Sequence, residues 1–207
     1  MSHSKTDEQV KKNRKVILGI FGIPALVFLL STGLYFLVET KAVDLGTVNN
    51  GQLITPPLPF AELPLTTLTG EAFDYSKPEP KWAFVVLGDR YCQGECERML
   101  YIARQSIISL GKKMGRLRLI YVNSDTVIEP ALQQRFTEEY RGMDVVVLEK
   151  KVLQDMFKNI DPYQQRTFYV VDPRGWMMMY YQVEDTDQET LATLGKAVAR
   201  DMKRLIK

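Results

Sequence analysis

The chain is predicted to be α/β: a mixed sheet flanked by helices, preceded by one N-terminal transmembrane helix. Three observations lead there. Residues 16–38, VILGIFGIPALVFLLSTGLYFLV, are 23 consecutive uncharged positions. Downstream, short apolar runs alternate with segments of helical periodicity. The last third holds two strand-like runs joined by a turn, then a long amphipathic segment. At 207 residues the length suits one ordinary domain plus an appendage.

The appendage comes first. A helix rising about 1.5 Å per residue needs about 20 apolar residues to cross about 30 Å of hydrocarbon. Pro24 and the glycines of residues 16–38 would be costly mid-helix in water, but membrane spans tolerate them. A cleaved signal peptide is the rival reading. The run is long for one, and no small-x-small cleavage site follows closely, so an uncleaved anchor is expected. Lys11, Lys12, Arg14 and Lys15 precede the span, whereas only Glu39 and Lys41 follow closely. The positive-inside rule makes residues 1–15 a cytoplasmic tail and sends the rest across the membrane. In a bacterium that means a single-pass inner-membrane protein with a periplasmic domain.

Tail and anchor hold six of the 27 Lys and Arg and three of the 25 Asp and Glu, which leaves residues 42–207 with 21 basic and 22 acidic side chains. A net charge of −1 offers no footprint for nucleic acid. Residues 39–63, rich in turn formers and proline, read as an extended linker into a domain at 64–207.

The domain's elements follow in order. LTTLTGEAFDY (65–75) reads as two short strands about a Thr69-Gly70 turn. WAFVVLG (82–88) is a continuous apolar run, the mark of a strand covered on both faces. From about Gly94 to Leu110, Cys96, Met99, Leu100, Ala103, Ile107 and Leu110 recur at helical spacing. LRLIYVN (117–123) is a second buried strand, and EPALQQRFTEEYRG a helix with Pro130 in its first turn and Gly142 past its end. DVVVLE is a third strand and VLQDMFKNI a short helix. TFYVVDPRGWMMMYYQ is a hairpin turning at Asp172-Pro173-Arg174-Gly175, and DQETLATLGKAVARDMKRLIK an amphipathic helix with a basic end. Strand, helix, strand, helix, then hairpin and helix is the thioredoxin-like order.

Both cysteines of the chain, Cys92 and Cys96, fall where the first buried strand gives way to a helix. A helix N-terminus favours thiolate through its unpaired N–H groups and dipole. Four positions apart, the two sulfurs can meet each other or one metal ion. Arg90 adds positive charge nearby, and Glu95 opposes it. Structural zinc wants four ligands, and there is neither a third cysteine nor a histidine beyond His3. Cu(I) accepts few soft ligands and suits two thiolates. Exchange enzymes usually carry C-x-x-C, one residue shorter, so a redox pair is open but weaker. Two buried apolar residues or a structural disulfide complete the alternatives.

With these residues in view, the chain resembles the Sco/SenC family of membrane-anchored, thioredoxin-like assembly factors for cytochrome c oxidase. The resemblance rests on LTTLTGEAFDYSKPEPKWAFVVLGDRYCQGECERML together with FYVVDPRG, and covers roughly residues 62–185. It implies Cys92 and Cys96 as copper ligands, copper as cofactor and an oxidase subunit as partner. The family's distal histidine precedes the strand matching TFYVVDP; here that place falls near Gln164, a poor ligand for a soft metal. The only histidine, His3, belongs to the expected cytoplasmic tail. The family's usual proline within the motif is also missing, Gln93, Gly94 and Glu95 standing between the cysteines. Where ordinary thioredoxins place a cis-proline, this chain has Arg166.

Other residues invite chemistry and are better read as structure. In WMMMYY (176–181), strand alternation turns Met177 and Met179 to one face and Met178 to the other, so three methionines make no single copper cluster. Trp82 and Trp176 read as core or anchoring residues at strand starts. Glu138, Glu139, Glu184, Asp185 and Asp187 read as solvated faces. There is no phosphate loop, and without an exported histidine no Ser-His-Asp triad. Three functions remain: oxidase assembly by Cu(I) handling or thiol reduction through Cys92 and Cys96, a metal-free thiol–disulfide oxidoreductase, and a non-catalytic thioredoxin-fold scaffold on the oxidase. An assembly factor is expected ahead of an enzyme.

Overall fold

The computed structural model describes residues 3–40, 49–157 and 166–206, with the side chains of 3–12 left out. Two compact units emerge, Met1–Val48 and Asn49–Lys207. The first is built on one helix, α1 (His3–Glu39), with Pro24 inside it. Its stretch Asn13–Glu39 has a mean hydropathy of 2.2, which makes it long and apolar enough to cross a membrane, and none of its apolar window is buried in protein.

The second unit is a seven-stranded mixed sheet. Its strands are β1 (Gln52–Pro59), β2 (Thr66–Thr67), β3 (Trp82–Gly88), β4 (Leu117–Asn123), β5 (Asp144–Val147), β6 (Thr167–Val171) and β7 (Trp176–Gln182), and their spatial order is β1-β7-β6-β3-β4-β5-β2. β3 lies at the centre, parallel to β4 and antiparallel to β6, as its unbroken apolar run requires. The helices are α2 (Glu95–Ser109), α3 (Pro130–Glu139), α4 (Lys150–Met156) and α5 (Gln188–Leu205).

Strand alternation divides the core into two layers. Phe84 and Val86 of β3 join Met99, Leu100 and Ala103 of α2, Phe136 of α3, and Val198 and Met202 of α5. Ala83, Val85 and Leu87 turn the other way, toward Leu153 of α4, Phe157, Ile54 and Phe60. Helices therefore cover both faces, as predicted.

Residues 52–63 correct the expected linker. Gln52–Pro59 is not linker but an edge strand, paired antiparallel to β7 with a bulge between Leu53 and Leu58. Proline lacks a ladder donor and is confined to such edges and bulges, which is why Pro56 and Pro57 could pass for linker. A buried carboxylate fastens the start of this segment: Asp201 of α5 accepts the N–H of Asn50 at 2.8 Å, its Nδ2 at 2.7 Å, the N–H of Gly51 at 3.0 Å and the hydroxyl of Tyr181 at 2.9 Å. Residues 41–48 of the expected linker lie outside the described residues.

The methionine alternation is corrected too. A bulge between Val170 and Val171 pairs them with Met179 and Met177, skipping Met178. Met177 therefore packs in one core layer, with Met178 against and Met179 within the other. An extra residue in one strand shifts its side-chain parity. Packing remains their role. Trp82 is half-buried against the core, whereas Trp176 is 40 % exposed at the start of β7 and is not a core residue.

Of the acidic residues read as solvated, Asp187 has a defined task. Its carboxylate caps α5 by accepting the N–H groups of Glu189 and Thr190 at 2.8 and 3.0 Å. Hydrogen bonds from the Thr190 side chain and backbone hold its carboxyl below the usual carboxylate range.

Candidate functional site

The site is the turn from β3 into α2. β3 ends at Gly88, packed so closely that a Cβ there would stand 2.2 Å from Tyr121 Oη and 2.8 Å from Cys96 Sγ. Glycine at this position lets both groups reach under the strand end. The chain then turns on Asp89, whose Oδ1 accepts the N–H groups of both Tyr91 and Cys92 at 2.9 Å. Tyr121 of β4 donates its hydroxyl to the Asp89 carbonyl at 2.5 Å. Burial first, then the negative charges of Asp89 and Asp125, push the Tyr121 phenol far above its ordinary pKa, so it stays a neutral donor.

A neighbouring loop completes the cradle. Ser124 donates its N–H to the Gly88 carbonyl, Arg90 its N–H to Asp125 Oδ2, and Glu129 its N–H to the Arg90 carbonyl, at 2.9, 2.9 and 3.0 Å. Cys92 has φ +40°, a left-handed conformation uncommon outside glycine, and Gly94 follows at φ +61° as the cap of α2. These two left-handed residues wind the chain into the helix. Cys92 thus sits in the loop and Cys96 in the first helical turn, their Cα atoms 5.1 Å apart.

The two sulfurs are bonded as a disulfide, S–S 2.03 Å. Cys92 is 1 % exposed and Cys96 4 %, so both belong to the core layer beneath α2. Charged side chains around them engage one another. Arg90 stacks on Tyr91 with its guanidinium 5.0 Å from the ring centre and reaches Glu129 at 3.5 Å. Glu95 bonds the Nε of Arg166, and Glu97 bonds Arg135. Arg166 also donates to the Glu184 carbonyl.

The structure thus brings Cys92, Cys96 and Glu95 together, and adds Asp89, Tyr121 and Arg166, which sequence reasoning had not joined to the pair. The Asp89 signal was legible, since Asp two or three residues ahead of a turn commonly accepts backbone N–H groups. The Tyr121 and Arg166 contacts are long-range and left no local trace. Among the described residues, no group of three His, Cys, Asp or Glu side chains is placed to hold a metal ion. Gln164 lies outside the described residues, and His3 belongs to the other unit. The donor set at the turn is two sulfurs. Reduced to thiolates, the two would suit Cu(I), whereas Cu(II) asks for nitrogen that these residues do not offer.

A family described as "Transmembrane-like, thioredoxin-like, C-terminal domain" matches residues 82–207. No curated protein matches. Among solved structures, yeast Sco1 with copper bound is 16 % identical with a TM-score of 0.51, over 76 % of this chain and 95 % of that one. A SCO1/SenC family lipoprotein from Bacillus anthracis str. Ames is 20 % identical with a TM-score of 0.50, over 74 % and 99 %. Arabidopsis thaliana ScoI with copper bound is 12 % identical with a TM-score of 0.50, over 76 % and 99 %. At these identities the likeness is one of fold.

Proposed function

The chain belongs to the transmembrane-like, thioredoxin-like C-terminal domain family, and from that premise we propose that it is a membrane-anchored, Sco-like factor that assists assembly of a haem–copper cytochrome c oxidase. Its working group is the Cys92/Cys96 pair, its anchor is α1, and its folded unit stands on the periplasmic face of a bacterial inner membrane. One observation carries the reading: two sulfurs within bonding distance where β3 meets the N-terminus of α2.

The chemistry is thiol reduction. In the dithiol form, one thiolate attacks a client disulfide, a mixed disulfide forms, and the client's other sulfur leaves as thiolate. The second thiolate of the pair then attacks the mixed disulfide, Cys92–Cys96 closes, and the client departs as a dithiol. Two electrons and two protons have passed to the client, and an external dithiol must restore the pair. The helix N-terminus favours thiolate in both steps. The same reduced pair is a two-sulfur acceptor for Cu(I) as cargo destined for the oxidase.

The test uses the full chain in detergent beside its C92S/C96S variant. After reduction, the protein should bind about one Cu(I) in competition with a chelator, and should reduce a peptide disulfide drawn from an oxidase copper-site sequence. Equal and weak Cu(I) binding by both proteins, together with no disulfide exchange, would sink the proposal.

A second reading is favoured by the burial of both sulfurs. A non-catalytic scaffold on an oxidase subunit needs no access to them. If C92S/C96S supports full oxidase assembly in cells lacking the wild-type gene, the scaffold reading replaces the first.

A further inference from the structure

The motif Cys92-Gln93-Gly94-Glu95-Cys96 carries a negative charge inside itself. Glu95 is the first residue of α2, directly before Cys96 and three after Cys92. A carboxylate there suits the helix dipole. As a like charge beside thiolates, however, it disfavours the ionised, reduced form of the pair. Left alone, it would offset what the helix N-terminus supplies.

It is not left alone. Arg166 Nε donates to Glu95 Oε1 at 2.5 Å, and the second arm of the same guanidinium donates to the Glu184 carbonyl. The backbone is held as well, since Val183 donates its N–H to the Arg166 carbonyl at 3.2 Å. Arg166 thus stands at the start of β6, anchored to the strand end that follows β7, with its charge directed at the helix that carries Cys96. Other charged or titratable groups described around the pair are engaged as well. Asp89 takes the N–H groups of Tyr91 and Cys92, Tyr121 donates to the Asp89 carbonyl, and Asp125 accepts from Arg90. Glu97 pairs with Arg135, Glu129 with Arg90, and Arg98 donates to the Thr186 hydroxyl.

We propose that Arg166 is a positioning residue for the Cys92–Cys96 pair: by engaging Glu95 it neutralises the carboxylate inside the motif and so sets how readily the disulfide accepts two electrons and one proton to become a thiol and a thiolate. The inference rests on the reading of the pair as one that cycles between these states. Arginine suits the task because it keeps its charge and presents a planar fork, one arm for Glu95 and one for the carbonyl. The Arg166 and Glu95 side chains are 43 % and 34 % exposed, so salt weakens the effect without removing it.

The test is a charge cycle on the full chain in detergent, with the disulfide equilibrated against dithiothreitol. R166Q leaves Glu95 uncompensated and should shift the equilibrium toward disulfide by about three- to tenfold, where tenfold corresponds to about 30 mV. E95Q should shift it the other way, and R166Q/E95Q should return close to wild type. R166K, which keeps the charge, should lie nearer wild type than R166Q. The pH profile of thiol alkylation in the reduced proteins should move up for R166Q and down for E95Q. A purely structural arginine predicts a different pattern, with the double variant as far from wild type as R166Q. That result, or an R166Q equilibrium equal to wild type, overturns the proposal. Failure of the exchange reading looks different: a wild-type potential below about −300 mV marks a structural disulfide, whatever the order of the variants.

Discussion

The Asp89 carboxylate and the Cys92 backbone are joined by a hydrogen bond of 2.9 Å, and the same oxygen holds Tyr91 at the same distance. A side chain two and three residues upstream thereby fixes the loop whose left-handed Cys92 delivers its sulfur to Cys96. The anchor is local, but its own carbonyl is held by Tyr121 from the neighbouring strand. Loop, sheet and pair form one unit, and the predictions at the site follow from that.

Asp89→Ala removes the acceptor of two backbone donors in a solvent-accessible turn. Water can serve those donors in part, so the stability loss should be about 1–2 kcal/mol. The larger effect should fall on access to the pair. Reduction of the buried disulfide by dithiothreitol should run several-fold faster in the variant, followed by quenched thiol counts. Unchanged reduction kinetics would mean that Asp89 does not hold the loop shut.

Gly88→Ala places a methyl where Tyr121 Oη and Cys96 Sγ already crowd the strand end. Gly88 is pinned in register opposite Asn123, so relief cannot come cheaply from the backbone. Overpacking of this kind should cost about 2–3 kcal/mol in urea denaturation. In the background of Tyr121→Phe, which deletes the nearest atom, the same substitution should cost less. Additive losses would show that the two sites do not meet.

How much of this was legible in the sequence depends on the range of the interaction. β3 and β4 were readable because strands covered on both faces must be continuously apolar, and α5 because its buried Leu194, Val198 and Met202 recur at helical spacing. β1 was hidden, since its prolines imitate a linker and only pairing with β7 reveals an edge. The parity of Met177 and Met179 was misread because a bulge depends on the partner strand, which no single-strand pattern contains. At the site, the cysteines and Glu95 are contiguous and were found together. Arg166 reaches them from 71 residues away, through a contact that only the fold creates.

Asp201 offers a test of where the folded unit begins. Its buried carboxylate satisfies donors from Asn50, Gly51 and Tyr181. Asp201→Ala orphans these groups and should destabilise the protein by about 2–4 kcal/mol. Limited proteolysis should then cut first between α1 and β1, because the start of β1 loses its fastening. Proteolysis no faster than in wild type would mean that Asp201 does not fasten the start of β1.

The tyrosines make a prediction about alkaline stability. Tyr140 is pushed up to about 12 by burial, with the Glu139 and Glu97 charges adding to it. Burial also raises Tyr75, Tyr121 and Tyr181 well above the ordinary range. A phenol whose folded pKa exceeds its unfolded value of about 10 keeps its proton longer in the native state. These four groups therefore contribute their full stability below about pH 10 and lose it progressively as the pH rises toward their folded values. Urea midpoints should be insensitive to these tyrosines between about pH 7 and 9 and should fall above about 10. Tyr140→Phe should flatten that fall, because phenylalanine has no proton to release in the unfolded chain. An identical alkaline slope in the variant would mean that Tyr140 titrates alike in both states.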